Sequence, residues 1–505
     1  MCGMRMKRRK LFRAIEGAAF CALLMCVIAL VSRAVERKAS VNKIQPFLER
    51  AQEFDVLFVG DSQMVNDVFP MELWKDYGIA SYNTASYGNT MPVNYWTMMN
   101  ALDYASPKLM VIGVKDLEKS YKLSGSSSDV HTAFDGYPLS LTKIRAIEDL
   151  MAGSVETDDD GNDYDSLRWE YYFTLGKYHT RWSELQPSDF RYDPNRTMGA
   201  QMTVGVSEPR EYALIDEERR MEENGWGFLY LRRMIEECES RGIDVLLLHL
   251  PYPATEEEQE AANTVYTIAQ DYGVGYIDFV YLDQVVDYET DCYDAFSHLN
   301  PSGAQKVTDY LGRYIASHYD IPDRRTDARY ASWDNCYADY LQYKQYLLRL
   351  QSSPRSVLAL LHDDSFSVCV SIAPGSDVYR DRRAMRLLQN IAREHIFEDD
   401  EEMRWADSLM PLALLDGAAQ EREAYFLLFD SGAEGSAPIE RVGEAEETFE
   451  TSFGTLRYRM DGGKASLLAQ DGEDFFAVAE GTNAPQMQIL VVDNETGERV
   501  ALMRY

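Results

Sequence analysis

The sequence predicts an α/β fold in which a parallel sheet flanked by helices is preceded by one transmembrane helix and followed by a smaller, β-rich α+β domain. Three patterns predict this fold. A long apolar run lies near the N-terminus, short apolar runs alternate with amphipathic segments from residue 54, and shorter alternating runs dominate after about residue 350. The length of 505 residues exceeds that of a typical single domain and favours more than one folded unit.

The predicted transmembrane helix covers residues 14–33. Its uncharged part, Gly17–Ser32, would span about 24 Å as a helix, and the side chains of Arg13 and Arg33 can reach from its ends to the bilayer surface. A cleaved signal peptide is the alternative, but no small-x-small cleavage site follows the run, which favours an uncleaved anchor. The stronger positive charge of residues 1–13 predicts a cytoplasmic N-terminus and an extracytoplasmic body.

The charge of the chain is unevenly distributed. Residues 1–38 carry nine Lys and Arg and two acidic residues, whereas the rest carries 41 basic and 81 acidic residues and so a net charge of −40. Such a body repels nucleic acid at low ionic strength, so no nucleic-acid partner is expected. The seven cysteines include no CxxC pair and lack zinc-ligand spacing. We therefore expect no metal and no cofactor.

Five apolar runs predict the strands of the sheet. Their nearly continuous apolar character is typical of parallel strands covered on both faces. The predicted strands are Asp55–Val59, Ala80–Asn83, Lys108–Val114, Asp244–Leu250 and Val274–Phe279. Helices are predicted between them at Val93–Tyr104, Gly227–Arg241 and Thr255–Tyr272, the last with Thr255 and Glu258 at capping-box spacing.

A long insertion at residues 118–225 interrupts the sheet. It is rich in Tyr, Trp and Asp and contains a predicted helix near Leu141–Met151. Insertions that follow the carboxyl end of a strand overlie the ligand-binding edge of such sheets. The insertion is therefore expected to act as a lid or acceptor-binding element, or else to be a structural excursion without substrate contact.

These patterns divide the chain into five segments. We expect a basic cytoplasmic segment at 1–13, the anchor at 14–33, a linker at 34–53, the α/β domain at 54–335 and a β-rich accessory domain at 336–505. The α/β domain ends after a helix at Ser302–Tyr319. The accessory domain begins with a helix at Ala338–Leu350 and continues with alternating runs such as Ser367–Ile372 and Gln488–Val492.

The first predicted strand places Gly60, Asp61 and Ser62 at the carboxyl edge of the sheet, where open α/β folds bind ligands. Glycine permits a sharp turn, and the backbone N–H of Ser62 is available there as an oxyanion donor. The same three residue types also occur in strand-to-helix junctions for turn geometry alone. A second chemical group is needed to tell the two apart.

A serine nucleophile needs a base, and His298 is the candidate among the seven histidines. It precedes Asn300 and Pro301, which are typical of the first residues of a helix. A histidine held in a loop against a capped helix is fixed in direction, and Asp291 or Asp294 could orient its ring. Structural roles suffice for His131 and His179 in the insertion, for His249 at a strand end and for His318 at a helix end.

The block Gly60–Ser62 and the late block Asp294–Asn300 resemble the SGNH/GDSL hydrolase family over about residues 54–320. The anchor, the insertion helix in PLSLTKIRAIEDL and the segment HLNPSGAQKVTDYLG further resemble a bacterial membrane-anchored branch. That branch is similar to extracytoplasmic proteins found alongside membrane-bound O-acyltransferases in polysaccharide or teichoic acid modification. The resemblance implies a flavodoxin-like sheet and an ester-cleaving serine.

The resemblance also implies a role for each matching residue. Ser62 is the nucleophile, His298 the base and Asp294 the acidic partner. The backbone N–H groups of Ser62 and Gly88 are the oxyanion donors, and Asn89 follows in the same segment.

Two positions depart from the family pattern. The residue three positions before His298 is Ala295, so the nearest acid, Asp294, lies four positions before it. The block that usually contains an asparagine as side-chain oxyanion donor reads Gly-Val-Lys-Asp at 113–116. An enzyme that lacks this donor would be slow unless Asn89 or Lys115 replaces it.

The expected function is a membrane-anchored, extracytoplasmic acyl esterase or O-acyltransferase that acts on a cell-surface polysaccharide through an acyl group carried on Ser62. Its expected partners are a cell-surface glycan or acyl-donor substrate, a membrane-bound O-acyltransferase and the membrane itself. The alternative is a non-catalytic glycan-binding or assembly subunit that keeps the same fold.

A calcium loop is not expected. Glu156, Asp158, Asp160 and Gly161 match the first, third, fifth and sixth positions of an EF-hand loop. The twelfth position, where a bidentate glutamate is required, is Leu167.

Overall fold

The computed structural model of this chain contains the predicted parallel sheet and a second, antiparallel sheet. It describes residues 2–123, 127–152, 157, 161, 163–190, 196–208, 210–282, 285–295, 298–362, 364–391, 397–398, 404–405, 423–433, 438–461, 464–476 and 485–505. The calcium-like residues Glu156, Asp158 and Asp160 lie outside the described residues.

Two helices precede the first strand, α1 (Cys2–Val35) and α2 (Lys38–Arg50). The part of α1 from Phe12 to Val35 is long and apolar enough to cross a membrane. Residues 34–53 were expected to be a linker and instead contain α2. Ile44 and Phe47, three positions apart on one helical face, are buried in the core, and this burial fixes the segment.

The first sheet consists of parallel strands. The described strands are β1 (Val56–Val59), β2 (Ser81–Asn83), β3 (Leu109–Gly113), β4 (Asp244–His249) and β5 (Gly275–Asp278). Their order, β2-β1-β3-β4-β5, is the doubly wound order, and each bound lies within one residue of its prediction. Because all pairs are parallel, the carboxyl ends of β1 and β3 meet at one edge.

Helices cover both faces of this sheet. Those within the α/β domain are α3 (Ser62–Asp67), α4 (Pro70–Tyr77), α5 (Met91–Leu102), α10 (Trp226–Arg241), α11 (Glu256–Tyr272), α12 (Tyr288–Asp291) and α13 (Pro301–His318), with α6 to α9 in the insertion. Helix α5 packs on α10, and α13 packs on α3 and α4. The predicted capping box at α11 is present, because Thr255 and Glu258 each bond the other's backbone N–H.

The insertion folds around a small core of its own. Its helices are α6 (Ser127–Phe134), α7 (Leu141–Met151), α8 (Tyr164–Tyr172) and α9 (Thr174–Tyr178). Helix α7 has the predicted bounds, and the Ser140 hydroxyl caps it by accepting the N–H of Lys143. Phe134, Ile147 and Tyr171 are buried together.

The C-terminal region is rich in antiparallel β structure. It contains α14 (Ser332–Leu350), α15 (Pro354–Ala359) and α16 (Arg382–Ile391), and strands β6 (Phe366–Ile372), β7 (Phe397–Glu398), β8 (Arg404–Trp405), β9 (Tyr425–Phe429), β10 (Ile439–Val442), β11 (Ala445–Thr451), β12 (Gly454–Asp461), β13 (Lys464–Ala469), β14 (Met487–Asp493) and β15 (Arg499–Arg504). The larger sheet has the order β10-β9-β6-β14-β15, and β11, β12 and β13 form another.

The hydrophobic core of the first sheet continues through α14 into the second sheet. Helix α14 buries Trp333, Tyr340 and Leu348 along one side, and it begins six residues before the predicted helix start at Ala338. The boundary predicted at residue 336 therefore falls inside a helix that both parts share.

A buried ion pair crosses this junction. The Glu72 carboxylate of α4 accepts hydrogen bonds from Lys344 Nζ at 3.0 Å and from the Tyr340 hydroxyl at 2.8 Å. Both charged side chains are almost fully buried. The pair fixes how α14 packs, because neither charge is tolerated in the interior without the other.

We expect Glu72→Gln to lower the free energy of unfolding by about 3 to 5 kcal/mol, because it leaves the Lys344 ammonium buried and uncompensated. Adding Lys344→Met should recover most of that loss. Denaturant unfolding of the full chain in detergent measures both. The exposed pair Arg457–Glu446 is the control, since Arg457→Ala should change stability by less than about 0.5 kcal/mol. An equally small change in Glu72→Gln would contradict the expectation.

Candidate active site

The turn after β1 carries Ser62. Asp61 caps α3 by accepting the N–H of Gln63 at 3.1 Å, and Ser62 is the first residue of that helix. A Cβ at Gly60 would lie 2.9 Å from the Met64 Cβ, so the turn has no room for a larger residue. Ser62 is thereby held at the carboxyl edge of the sheet.

The loop before α13 brings His298 to Ser62. His298 Nε2 lies 2.8 Å from Ser62 Oγ, and His298 Nδ1 lies 2.6 Å from Asp294 Oδ2. The other carboxylate oxygen of Asp294 accepts the backbone N–H of His298 at 3.2 Å. The three side chains form a continuous hydrogen-bonded series, and the His298 side chain keeps 19% of its surface exposed for a reactant.

The geometry of the His298 loop explains the altered spacing of the acid. Cys292 and Leu299 form a β-bridge, and the Tyr293 N–H donates to the His298 carbonyl at 2.8 Å. Asp294 and His298 thus lie opposite each other across a short closed loop. An acid four positions before the histidine reaches its ring, while the Ala295 carbonyl accepts the Arg210 N–H at 2.9 Å.

Two buried acidic side chains, Asp67 and Asp291, stabilise the His298 loop and its surroundings. Asp67 accepts the N–H of Leu299 at 3.0 Å, and burial raises the pKa of Asp67 well above its usual value. Asp291, considered above as an alternative partner for His298, is instead fully buried and bonded to Lys306 Nζ at 2.6 Å. The Asn300 side chain caps α13 and completes the support.

The C-terminal region contributes to the same support. Arg386 of α16 pairs with Asp287 at 2.6 Å and with Glu289 at 3.3 Å. The Asp287 N–H in turn donates to the Asp291 carboxylate at 2.8 Å. Arg383, also on α16, donates to the Glu289 carbonyl at 3.0 Å. The segment that leads into the His298 loop is therefore clamped by α16.

Among the described residues, no backbone carbonyl accepts the N–H group of Ser62 or of Gly88. Gly88 has a φ of 67°, in the region that favours glycine, and a Cβ there would lie 2.7 Å from the Asp129 carboxylate. The expected role of these two groups as oxyanion donors stays a prediction.

Asn89 lies beside the Gly60 turn. Its side-chain amide donates to Asn94 Oδ1 at 3.0 Å and to the Gly60 carbonyl at 3.4 Å. The side chain is buried beside the start of α5. Asn89 braces the Gly60 turn in this structure, and its expected role at the oxyanion stays a prediction.

Lys115 stands at the end of β3, where the family pattern has its asparagine. Its ammonium lies 3.4 Å from Asp61 Oδ2 and over the Tyr252 ring at 5.0 Å. Burial alone would lower the pKa of Lys115, but the carboxylates of Asp61 and Asp116 raise it above its usual value. The site therefore contains a fixed positive charge next to the Ser62 turn.

Sequence reasoning missed the residues that hold the Ser62 turn from the other side. Asn66 Nδ2 donates to the Ser62 carbonyl at 2.6 Å, and Asn66 Oδ1 accepts the hydroxyls of Tyr87 at 3.1 Å and Thr203 at 2.6 Å. Asn66 stands one helical turn after Ser62, which is a usable signal. Thr203 comes from the insertion and carries no such signal.

Two other histidines have structural partners. His131 is buried, bonded to Asp135 at 3.0 Å and stacked on Tyr171. His249 bonds to Asp278 at 2.8 Å at the ends of β4 and β5. Among the residues that the structure describes, no group of His, Cys, Asp and Glu is placed to hold a metal ion.

Comparisons with known proteins give limited similarity. No family model and no curated protein matches the chain. A lipolytic protein of the G-D-S-L family from Desulfitobacterium hafniense DCB-2 is 12% identical, with a TM-score of 0.27, 51% of this chain covered and 97% of that chain. An acylhydrolase from Bacteroides fragilis NCTC 9343 is 12% identical, with a TM-score of 0.28, 55% of this chain covered and 97% of that chain. Nothing about the substrate of this chain follows from them.

The ionisation of buried Asp116 makes the stability of the folded protein depend on pH. Burial raises its pKa to about 6, against the opposing effect of Lys115. Ionisation of Asp116 therefore destabilises the folded protein as the pH rises from the ordinary carboxyl range through 6. We expect Asp116→Asn to raise the free energy of unfolding by about 1 to 3 kcal/mol at pH 8 and by nearly nothing at pH 4.

Denaturant unfolding at the two pH values measures this difference. Asparagine tolerates the positive φ of 54° at this position, so backbone strain does not confuse the result. Asp339→Asn on the exposed side of α14 is the matched control and should follow the wild type at both pH values. An equal gain at pH 4 and pH 8 would show that charge is not the cause.

Proposed function

We propose that this protein is a membrane-anchored, extracytoplasmic serine esterase or O-acyltransferase of the SGNH type that acts on cell-surface polysaccharide. One observation carries the proposal: the hydrogen-bonded series from Ser62 Oγ through His298 to Asp294, with separations of 2.8 and 2.6 Å. A serine, an imidazole and a carboxylate in this order form the arrangement that activates a hydroxyl for attack on an ester.

The proposed reaction has two halves. Ser62 Oγ attacks the ester carbonyl carbon while His298 Nε2 takes its proton, and Asp294 stabilises the imidazolium. The N–H groups of Ser62 and Gly88 bind the oxyanion. The C–O bond to the leaving alcohol then breaks, His298 returns the proton to that alcohol, and the acyl group stays on Ser62. In the second half, water or a sugar hydroxyl attacks the acyl carbon while His298 Nε2 takes its proton. The bond between Ser62 Oγ and the acyl carbon then breaks, and His298 returns the proton to Ser62 Oγ.

Lys115 supplies positive charge where the family pattern has a neutral donor. Removing one side-chain oxyanion donor costs known hydrolases about 2.7 to 4 kcal/mol in the transition state. The charged ammonium beside Asp61 offsets the nearby carboxylates, which would otherwise oppose a developing oxyanion. We assign Lys115 an electrostatic role in this step.

The first helix and the charge of the body support the proposed location. Helix α1 has one segment, Phe12–Val35, that suits a bilayer, and the basic residues that precede it favour a cytoplasmic N-terminus. The remaining chain is strongly acidic. An anchored, outward-facing enzyme meets substrates of the cell surface.

Ser62→Ala and His298→Ala should each lower kcat for p-nitrophenyl acetate hydrolysis by at least about 10³-fold, because each removes a group that acts on the reacting bond. Asp294→Asn should lower it by about 10²- to 10⁴-fold. The assay uses the full chain in detergent. Ser317→Ala and His318→Ala, on the exposed end of α13, are the matched controls and should keep wild-type activity. Undiminished activity in both Ser62→Ala and His298→Ala would refute the proposal.

Lys115→Met should lower kcat by about 10- to 10³-fold with a smaller effect on KM, since the charge acts on the transition state. The neighbouring Lys119→Met is the control, because Lys119 pairs with Glu118 and not with Asp61. Steady-state acetate release measures both variants. An unchanged kcat in Lys115→Met would remove Lys115 from the mechanism.

A second candidate function is a non-catalytic glycan-binding or assembly subunit that partners a membrane-bound O-acyltransferase. The absence of an asparagine at position 115 and the large C-terminal region favour it. A fluorophosphonate probe separates the two functions, because it labels an activated serine. Labelling of the wild type that disappears in Ser62→Ala favours the enzyme. A wild-type chain that is folded and unlabelled favours the subunit.

A further inference from the structure

The end of α1 is packed against the insertion. Helix α9 and two short 3-10 helices, His179–Ser183 and Pro187–Phe190, contact its last turns. Ile28, Ser32, Ala34 and Val35 are partly or fully covered, whereas every residue from Phe12 to Val27 is exposed. Three of the covered residues, Ile28, Ser32 and Val35, are spaced four and three apart and so share one face. The body therefore packs against one side of the outer end of α1.

Polar contacts fix the two 3-10 helices to this end. Arg181 donates to the Val35 carbonyl, one of the last carbonyls of α1, and pairs with Asp189 at 2.9 Å. The buried Asp189 also accepts the N–H of Gln186 at 2.9 Å. One arginine and one aspartate thus link both short helices to the helix end.

The length of α1 places this contact at the membrane boundary. The apolar segment Phe12–Val35 has 24 residues, which gives about 36 Å of helix, or about 6 Å more than the hydrocarbon core. The covered face begins at Ile28, about 10 Å before the end of the helix. When α1 spans a bilayer, the elements packed against it lie beside the headgroup layer and the adjoining acyl chains.

Large aromatic side chains project from those elements. Trp182, on the first 3-10 helix, is 72% exposed, and Phe190, at the end of the second, is 68% exposed. Aromatic residues are enriched at the boundary between membrane and water. Their position beside the end of α1 gives them an apolar partner.

We propose that His179–Phe190 forms an interfacial collar, in which Trp182 and Phe190 insert into the outer leaflet of the bilayer that α1 spans. The collar rests on the proposed membrane anchor and does not depend on the chemistry at Ser62. The occupant of this surface is lipid, because the collar adjoins the one described segment that suits a bilayer.

The collar has a consequence for the active site. A later part of the same insertion contacts the His298 loop: the Ser207 N–H donates to the Cys292 carbonyl at 3.0 Å, and the Asn300 amide donates to the Gly205 carbonyl at 3.0 Å. A body attached by both α1 and the collar cannot swing on the anchor. Ser62 then works at a fixed orientation to the bilayer, which favours substrates presented at the membrane surface.

Tryptophan quenching by brominated lipid tests the collar with the full chain. The seven tryptophans all lie after residue 73, so α1 contributes no signal. The protein is reconstituted into phosphatidylcholine vesicles whose lipids are brominated near the ester end of their acyl chains. We expect the wild type to be quenched relative to unbrominated vesicles, and Trp182→Phe to lose most of that quenching. The control is Trp226→Phe at the start of α10, which should keep it.

A gain of signal makes the test independent of losses in folding. Phe190→Trp in the Trp182→Phe background should restore quenching by brominated lipid. Quenching that is the same in Trp182→Phe as in the wild type, or that Phe190→Trp does not restore, overturns the collar.

Two further readouts separate this result from the other proposals. A chain that does not float with the vesicles overturns the anchor and the collar together. A chain that floats and shows Trp182-dependent quenching but hydrolyses no ester supports the collar while the proposed enzyme function fails.

Discussion

The hydrogen bond between Ser62 and His298 is the contact on which the proposed chemistry depends. Many contacts of the fold hold these two residues in position. The residues are 236 positions apart. The parallel order of the sheet brings the β1 turn to the edge where the loop before α13 also ends. Asp61 and Asn66 fix the serine side, and Asp67 and Asp291 fix the histidine side. Pairs of rigid turns hold reactive groups better than one mobile loop.

Much of the fold could be predicted because its signals are local. The β1 to β5 runs are apolar throughout, as strands covered on both faces must be, and their bounds were predicted to within one residue. Helix α2 was missed because its apolar stripe is short and Pro46 interrupts it in the sequence. The shared packing of α14 was missed as well, since burial of Lys344 against Glu72 is a long-range property.

The candidate site also contains residues that local sequence patterns could predict and contacts that they could not. Ser62 and His298 could be proposed from a turn motif and a capped helix, whereas the choice of Asp294 over Asp291 rested on the family resemblance. His298 lies within hydrogen-bonding distance of both Ser62 and Asp294. The hydrogen bond between Asn89 and Asn94 could not be predicted, because sequence does not show which neighbours an amide bonds to. Thr203 was missed because it comes from the insertion, whose path over the sheet no local pattern encodes. Contacts between segments far apart in the chain set the details of this site.

The Glu72–Lys344 pair also imposes an order on biogenesis. The two residues are 272 positions apart, so ribosomes need on the order of tens of seconds to add the second after the first. During that interval, the emerging N-terminal half exposes the α4 surface that α14 later covers. A chaperone can bind the exposed α4 surface during this interval, and proteases can cut any chain whose synthesis stops before α14.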